Sequence, residues 1–146
     1  MLDKILREFI ITLDTSFKKL VKETIKTAGV SNLSVNQIQY IQAIGKLNNP
    51  TISEIAEELN ITKASATTGI NKLVSLGYAK KSQSTQDKRI YHVALTEASK
   101  TFIQLNQQAL EDYVAFISQS LTSEEVDQFK GTLEKLIKGF YKKNSI

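Results

Sequence analysis

Residues 51–100 decide the fold, and they read TISEIAEELNITKASATTGINKLVSLGYAKKSQSTQDKRIYHVALTEASK. Two short helical patterns meet at a turn over residues 59–62, and Gly77 ends the second of them. Two strand-like runs, residues 78–83 and 90–95, then flank a polar loop. This is the order of a helix-turn-helix followed by a β-wing. We predict a mainly α fold: a winged helix-turn-helix with a two-stranded β-wing and long terminal helices.

The same stretch carries the positive charge of the chain. The net charge is +4 over 146 residues, yet residues 60–93 hold six cations and one acid, a net +5, which leaves −1 for the other 112 residues. The cations are Lys63, Lys72, Lys80, Lys81, Lys88 and Arg89. Such concentration favours contact with phosphates, so we predict double-stranded DNA as a partner. An ordinary solvated basic surface is the alternative.

The second helix of the motif presents a small polar face. At 100° per residue, residues 66, 70 and 73 share one side, which we expect to be buried, and the polar residues share the other. We predict that Ser65, Thr68 and Asn71 read bases in the major groove. We assign phosphate contacts to Thr62, the expected N-cap, and to Lys63 and Lys72.

The loop between the two strands holds one of the two arginines of the chain, the other being Arg7. Arginine is less strongly hydrated than lysine and suits a narrow, electronegative minor groove. We therefore assign Asp87, Lys88 and Arg89 to the minor groove, with Asp87 pairing with Arg89 and fixing its direction. A surface ion pair of little energetic value is the alternative.

Long amphipathic helices are predicted on both sides of this motif. They divide the chain into an N-terminal dimerisation helix (residues 1–33), a DNA-binding lobe (34–95) and C-terminal dimerisation helices (96–146), intertwined as one domain. Gly29 is expected to end the first helix, and Ser34, Thr51, Thr62, Thr96 and Thr122 to cap the later ones. The apolar stripes exceed what a small lobe covers, which favours a homodimer over plain core.

Several classes of function are excluded or disfavoured. The chain has no cysteine, which rules out disulfides and thiolate metal sites, and one histidine, His92, makes a zinc site implausible. We expect His92 to be a partly exposed strand residue, with a phosphate contact as the weaker alternative. No catalytic constellation, cofactor motif or metal motif is present, so we predict no enzyme activity, no cofactor and no metal. No apolar run suggests a membrane span or signal peptide, so a cytoplasmic location is expected.

At this point the residues resemble the MarR (multiple antibiotic resistance regulator) family of winged-helix transcription factors. The resemblance rests on the segments IAEEL at 55–59, KL at 72–73, LGY at 76–78, DKR at 87–89 and LTE at 95–97. The Asp-x-Arg wing followed six residues later by Leu-Thr is fairly specific, whereas the helix-turn-helix alone is not. The order and length of the flanking helices extend the resemblance over essentially the whole chain.

The resemblance implies a homodimer built from the terminal helices, wings that reach the minor groove, and an effector cleft beside the DNA-binding lobe. Phe9, Phe17, Tyr40 and Ile44 are our candidates to line that cleft, and a place in the dry core is the alternative for each. Two positions depart from the family pattern: Thr68 stands where many relatives carry a basic residue, and a serine at position 99 replaces a common glycine.

These observations together predict a homodimeric, effector-responsive transcriptional repressor that binds a pseudo-palindromic operator. One alternative is a winged-helix protein-interaction module that does not bind DNA, which the concentrated charge disfavours. The other is a small enzyme that uses the helical cleft, which the missing nucleophile and acid–base groups disfavour. The sequence does not identify the operator or the effector.

Overall fold

The computed structural model describes residues 1–30 and 33–144. The helices within them are α1 (Leu2–Ala28), α2 (Val35–Leu47), α3 (Ile52–Glu58), α4 (Lys63–Ser75), α5 (Glu97–Gln119) and α6 (Ser123–Asn144), and the strands are β1 (Ala79–Gln83) and β2 (Tyr91–Leu95). The strands pair antiparallel between α4 and α5. This confirms the predicted mainly α winged helix-turn-helix with a two-stranded wing.

Most helix boundaries lie where local signals placed them. Ser34 and Thr51 each form a complete capping box, in which the side chain three residues later bonds back to the cap amide. Thr122 makes the same reciprocal pair with Glu125, at 3.2 Å in each direction. Gly29 ends α1 with φ of 71°, a left-handed conformation that glycine adopts without strain.

Thr96 differs from its predicted role as a cap. It immediately precedes α5, but its hydroxyl donates to the carbonyl oxygen of Gly77 at 2.8 Å. Two residues into α5, the buried Ser99 hydroxyl donates to the carbonyl oxygen of Tyr78 at 2.6 Å. The start of α5 is therefore fastened to the segment that joins α4 to the wing.

One hydrophobic core joins the lobe to parts of the flanking helices. Ile41, Ile55, Ile70 and Val93 are fully buried in it, one each from α2, α3, α4 and β2. Val30 after α1, the C-terminal side chains of α1 and Phe102 of α5 pack into the same cluster. Burial of this apolar surface is what fixes the orientation of α4.

The chain separates into two compact units, Met1–Gln107 and Gln108–Ile146, with the division inside α5. The first unit extends beyond the predicted lobe of residues 34–95 at both ends, because the core reaches Val30 and Phe102. The second contains the end of α5 and all of α6. Among the helices of the described residues, none has the length and apolar character needed to cross a membrane.

Candidate nucleic-acid interface

The turn before α4 sets how that helix is presented. Asn60 adopts a positive φ of 53°, and the amide of Ile61 donates to the carbonyl of Ala56 at 3.0 Å. Thr62 then caps α4 by accepting from the amide of Ser65 at 3.1 Å, as predicted. The chain therefore reverses in four residues and starts α4 with its first turn exposed.

The face of α4 opposite the core is open to solvent. Ala66, Ile70 and Leu73 are fully buried, whereas Ser65, Thr68 and Asn71 are exposed at intervals of three residues. The exposed three thus form one polar stripe along the helix, as the sequence predicted. Their side chains are small enough to let the helix enter a major groove.

Each member of this stripe already has a partner within the chain. The hydroxyl of Thr62 donates to Ser65 Oγ at 2.9 Å, and that of Thr68 donates to the carbonyl of Ala64 at 3.1 Å. Asn71 Oδ1 accepts from Lys81 Nζ at 2.9 Å. The Thr68 hydroxyl therefore faces outward chiefly as an acceptor, and the amide of Asn71 is held by a residue of the wing.

The wing holds its arginine with a neighbouring carboxylate. Arg89 donates from Nε and Nη2 to the two oxygens of Asp87 at 3.1 and 3.0 Å, and its backbone amide donates to the same carboxylate at 3.0 Å. This pairing lowers the pKa of the Asp87 carboxyl and raises the pKa of the Arg89 guanidinium. The Arg89 side chain remains nine-tenths exposed, so it is directed by Asp87 without being buried.

A cleft of about 320 Å³ lies between α4, the start of α3 and the wing. It brings together Lys63, predicted as a phosphate contact, and Arg89, predicted for the minor groove. It also includes Lys81, Thr67 and Tyr91, to which the sequence analysis gave no role. The Lys81 ammonium lies 4.8 Å from the centroid of the Tyr91 ring. Three cations therefore line one concave surface, an arrangement that attracts phosphate.

The sequence did not reveal a separate role for Lys81, because Lys80 and Lys81 were recognised only as part of the positive charge. Alternation along β1 was the available signal. Ala79 and Lys81 share the face that packs toward the core, whereas Lys80 is exposed on the other face. The partner of Lys81 comes from a different element, and no pattern along one segment reveals it.

His92 links the wing to the segment between α2 and α3. Its Nδ1 lies 3.1 Å from the carbonyl oxygen of Asn49, which is an acceptor, so the ring nitrogen donates. The backbone of His92 also bridges to Thr51, and the amide of Val93 donates to the carbonyl of Pro50 at 2.8 Å. Val93 and Leu95 are buried, so the face predicted for the core is the core face.

Known proteins are similar to this chain in sequence and in fold. A model of the MarR family matches residues 31–90. The HTH-type transcriptional regulator PapX of Escherichia coli is 25% identical over 138 residues, which are 94% of this chain and 84% of PapX. The structure of Streptococcus pneumoniae FabT in complex with DNA is similar with a TM-score of 0.77 and 25% identity, covering 95% of this chain and 97% of FabT.

The chain is similar to the MarR family over its winged helix-turn-helix. The relative PapX is a transcriptional regulator, and the segment that the family model matches includes α2, α3, α4, β1 and the loop that follows β1. The structure of S. aureus MepR bound to ethidium bromide has the same fold, with a TM-score of 0.69 at 15% identity over 92% of this chain and 95% of MepR.

The two positions that depart from the MarR-family pattern have different structural settings. Thr68 is exposed on the polar stripe of α4, where it supplies a hydroxyl in place of a cation. The serine at position 99 is fully buried and ties α5 to Tyr78. A glycine there would have no side chain to make that bond, so the serine adds a hydrogen bond instead of merely being tolerated.

The four predicted cleft residues lie in different settings. Tyr40 and Ile44 are buried in the core, and the Tyr40 hydroxyl donates to the carbonyl of Ser65 at 3.3 Å. Phe9 and Phe17 lie on α1 with 47% and 40% of their surface exposed. Tyr40 therefore supports α4 from inside, and its ring fills the space between α2 and α4.

Ile44 does border an open groove on the first unit. The groove has a volume of about 450 Å³ and lies among the end of α2, the end of β2 and the first half of α5. Ile103 and Leu95 supply apolar surface to it, and Lys100 and Gln104 supply polar groups. Such a mixture suits a small amphipathic molecule.

Proposed function

We propose that this chain is a homodimeric repressor of the MarR type that binds a pseudo-palindromic operator. The observation that carries the proposal is the exposed polar stripe of α4, with Lys63 and Arg89 converging on the cleft beside it. The stripe supplies hydrogen-bonding groups for base edges, and the cations supply the sequence-independent attraction to phosphates. A protein-interaction module would have no need for this combination.

The contacts divide by chemistry. Ser65, Thr68 and Asn71 read bases in the major groove, because they project from the exposed side of α4 as short polar groups. Thr62, Lys63 and Lys72 contact phosphates that border this groove. All three are exposed at or near the ends of α4.

The wing enters the adjacent minor groove. Asp87 holds the guanidinium of Arg89 in an exposed position, and Lys88 lies between them in the sequence of the loop. A narrow minor groove has enhanced negative potential, which favours an inserted arginine. The similar structure of FabT is a complex with DNA, which supports DNA as the partner of this fold.

Apolar side chains on the terminal helices support the homodimer. In the single chain, α1 exposes Leu2, Ile5 and Ile10 by more than half, and α6 exposes Phe140 by 59%. Exposed apolar residues on each of these helices favour association with a second copy through a two-fold axis. Two copies then present their α4 helices to half-sites about one turn, ~34–36 Å, apart.

An effector would act by favouring one dimer geometry over another. The groove beside Ile44 is a candidate for its site, since it joins the core of the lobe to α5. Phe9 and Phe17 remain candidates for a second wall contributed by α1. MepR bound to ethidium bromide supports a small-molecule effector through fold alone. We further propose that the chain acts in the cytoplasm and without a cofactor.

A duplex-binding titration tests the proposal. The purified chain is offered a duplex selected from a random library, at salt concentrations from 50 to 200 mM. We expect affinity to fall by ~10-fold or more over this range, because each phosphate contact releases counterions. We also expect two chains per duplex in a sedimentation measurement. The absence of binding to any duplex at 50 mM salt would favour the protein-interaction alternative.

The repressor role needs a separate measurement. The selected operator is placed across a promoter in a purified transcription reaction, and the regulator is titrated into it. We expect the transcript to fall as the operator fills. A transcript that rises instead would identify an activator while leaving the DNA-binding proposal intact.

A further inference from the structure

Lys81 is held at two points that bear on base reading. Its ammonium donates to Asn71 Oδ1 at 2.9 Å and lies 4.8 Å from the centroid of the Tyr91 ring. The contact with the ring limits the freedom of the lysine, because a cation is attracted to an aromatic face. Lys81 is half-buried, whereas the neighbouring Lys80 is exposed. The wing thus supplies a fixed partner to a side chain on the polar stripe of α4.

The chemistry of this pair determines which way the Asn71 amide is directed. An ammonium group has donors and no acceptor, so it must face the oxygen of the amide and not the nitrogen. The oxygen of Asn71 is therefore turned toward β1. The two hydrogens on Nδ2, together with the remaining donors of Lys81, are left for an outside ligand. Apart from the second lone pair of Oδ1, which lies beside the ammonium, the pair offers donors to an outside ligand.

A surface that offers hydrogen-bond donors can distinguish guanine from adenine. Adenine presents an acceptor, N7, beside a donor, N6, so an asparagine that reads it must offer both an acceptor and a donor. Guanine presents two acceptors, N7 and O6. The positive charge of the Lys81 ammonium, beside the Asn71 oxygen, disfavours the approach of a second donor such as adenine N6. The same charge favours the approach of the two acceptors of guanine.

We propose that Lys81 is a positioning residue for Asn71, which it sets to select guanine over adenine in the operator. The proposal rests on the proposed base-reading role of Asn71. Asparagine ordinarily reads adenine, and that pairing would require Oδ1, which already accepts from Lys81, to accept from adenine N6 as well. Lys81 would also attract phosphates, but that effect is independent of sequence.

Selection from a randomised 20-base-pair duplex library tests the proposal. Four proteins are compared: the natural chain, Lys81→Met, Lys80→Met and Asn71→Ala. Methionine keeps an apolar stem against Tyr91 and removes the ammonium. Lys80→Met is the matched control, because it removes the same charge from the adjacent residue on the opposite face of β1. Circular dichroism verifies that each variant is folded.

We expect the natural chain to select guanine at one position of each half-site. In Lys81→Met, the ratio of guanine to adenine at that position should fall by ~10-fold, in keeping with one bidentate contact. Lys80→Met should keep the natural ratio, and Asn71→Ala should lose the preference there altogether. Lys81→Arg, which retains a donor-only cation, should keep guanine.

Two results would overturn the inference in distinguishable ways. If Lys81→Met weakens binding and reduces its salt dependence but keeps the guanine preference that Asn71→Ala loses, Lys81 is a phosphate contact only. If Asn71→Ala keeps every base preference of the natural chain, the base-reading role of Asn71 is itself wrong, and the positioning role of Lys81 is wrong with it.

Discussion

Gly69 of α4 lies beneath the ring of Tyr40 of α2, and a side chain at position 69 would overlap that ring. The hydroxyl of Tyr40 reaches one turn along α4 and donates to the carbonyl of Ser65. Helix α4 therefore packs against a tyrosine at Gly69, its one residue without a side chain. This close approach sets how far the polar stripe of α4 stands out from the lobe.

Gly69→Ala should destabilise the lobe in spite of its helical position. Alanine normally favours a helix over glycine by about 1 kcal/mol. Here the added methyl group meets the Tyr40 ring, and overpacking of this kind costs ~1–3 kcal/mol. We expect a net loss in the free energy of unfolding, measured by urea denaturation at fixed protein concentration, and weaker binding to DNA.

Gly139→Ala is the control, since a methyl group on that residue of α6 would meet nothing within 4 Å. It should be neutral or stabilising. The double variant Tyr40→Leu with Gly69→Ala should be less destabilised than the two single changes added together, because leucine leaves room for the methyl group. Equal stability of Gly69→Ala and the natural chain would contradict the close packing.

Tyr40→Phe should change how stability depends on alkaline pH. Burial raises the pKa of the Tyr40 phenol above its ordinary value of 10.0. A group whose pKa is higher in the folded state contributes stability that is complete below the ordinary pKa and is lost as pH rises through the folded one. The natural chain should therefore lose stability above pH 10, and Tyr40→Phe should lose less.

At neutral pH the same variant should be less stable by about 0.5–1.5 kcal/mol, the usual worth of a hydrogen bond. Chemical denaturation at pH 7 and at several values above pH 10 measures both effects. Tyr141→Phe, which alters a half-exposed phenol on α6, is the control. If Tyr40→Phe and the natural chain lose stability in parallel above pH 10, the phenol is not buried as described.

Local signals explain why so much of the fold was predictable. A capping box lies within four residues, so Ser34, Thr51 and Thr122 marked helix starts before any packing was known. The Asp87–Arg89 pair spans two residues and was likewise predicted from spacing. The exposed face of α4 followed from helical periodicity, because its buried face is a regular apolar stripe.

Contacts between elements were not predictable in the same way. Periodicity identifies the face on which Tyr40 lies but not its depth, so its place against Gly69 came only from the packing of α2 on α4. The pairing of Lys81 with Asn71 depends on where the wing folds back on α4. The Thr96 hydroxyl bonds to Gly77, 19 residues earlier, instead of to its own helix.

Arg89→Ala should weaken DNA binding strongly while leaving the dimer intact. The side chain is exposed and is paired with Asp87 on the surface, so its loss should not affect the core. Affinity for the selected operator should fall by ~10-fold or more, measured by fluorescence anisotropy. Lys88→Ala removes the same charge from the adjacent residue and should have a smaller effect. Unchanged affinity for Arg89→Ala would refute the wing assignment.

Asp87→Asn should reduce the discrimination between the operator and a random duplex more than it reduces the affinity for DNA. The Asp87 carboxylate directs Arg89, and its negative charge also repels phosphates. Removing the carboxylate therefore releases the arginine and at the same time weakens the repulsion. We expect the ratio of operator affinity to random-duplex affinity to fall, with little loss of affinity for the random duplex.

The low pKa of the Asp87 carboxyl keeps it ionised from pH 5 to 8, so this effect of Asp87→Asn should be constant over that range. Titrations of both duplexes at the two ends of the range measure it. A ratio that matches that of the natural chain at both pH values would mean that Asp87 does not direct Arg89 on DNA.

Phe140→Asp should dissociate the proposed dimer. Phe140 is 59% exposed in the single chain, on the same stripe of α6 as Phe129, Leu133 and Leu136, all of them also exposed. A carboxylate in the middle of an apolar interface loses its water without gaining a partner, and loss of a central aromatic typically costs ~2 kcal/mol or more. The dissociation constant of the dimer should rise by ~30-fold or more, as measured by analytical ultracentrifugation.

Lys138→Gln is the matched control for that variant. It changes the net charge by the same single unit two residues away, on the opposite side of α6. The proposed dimer would hold two half-sites at once, so Phe140→Asp should also weaken operator binding at low protein concentration, whereas Lys138→Gln should not. A Phe140→Asp protein that sediments as the same dimer would place the interface elsewhere, and α1, with its own exposed apolar residues, would then be the helix to test.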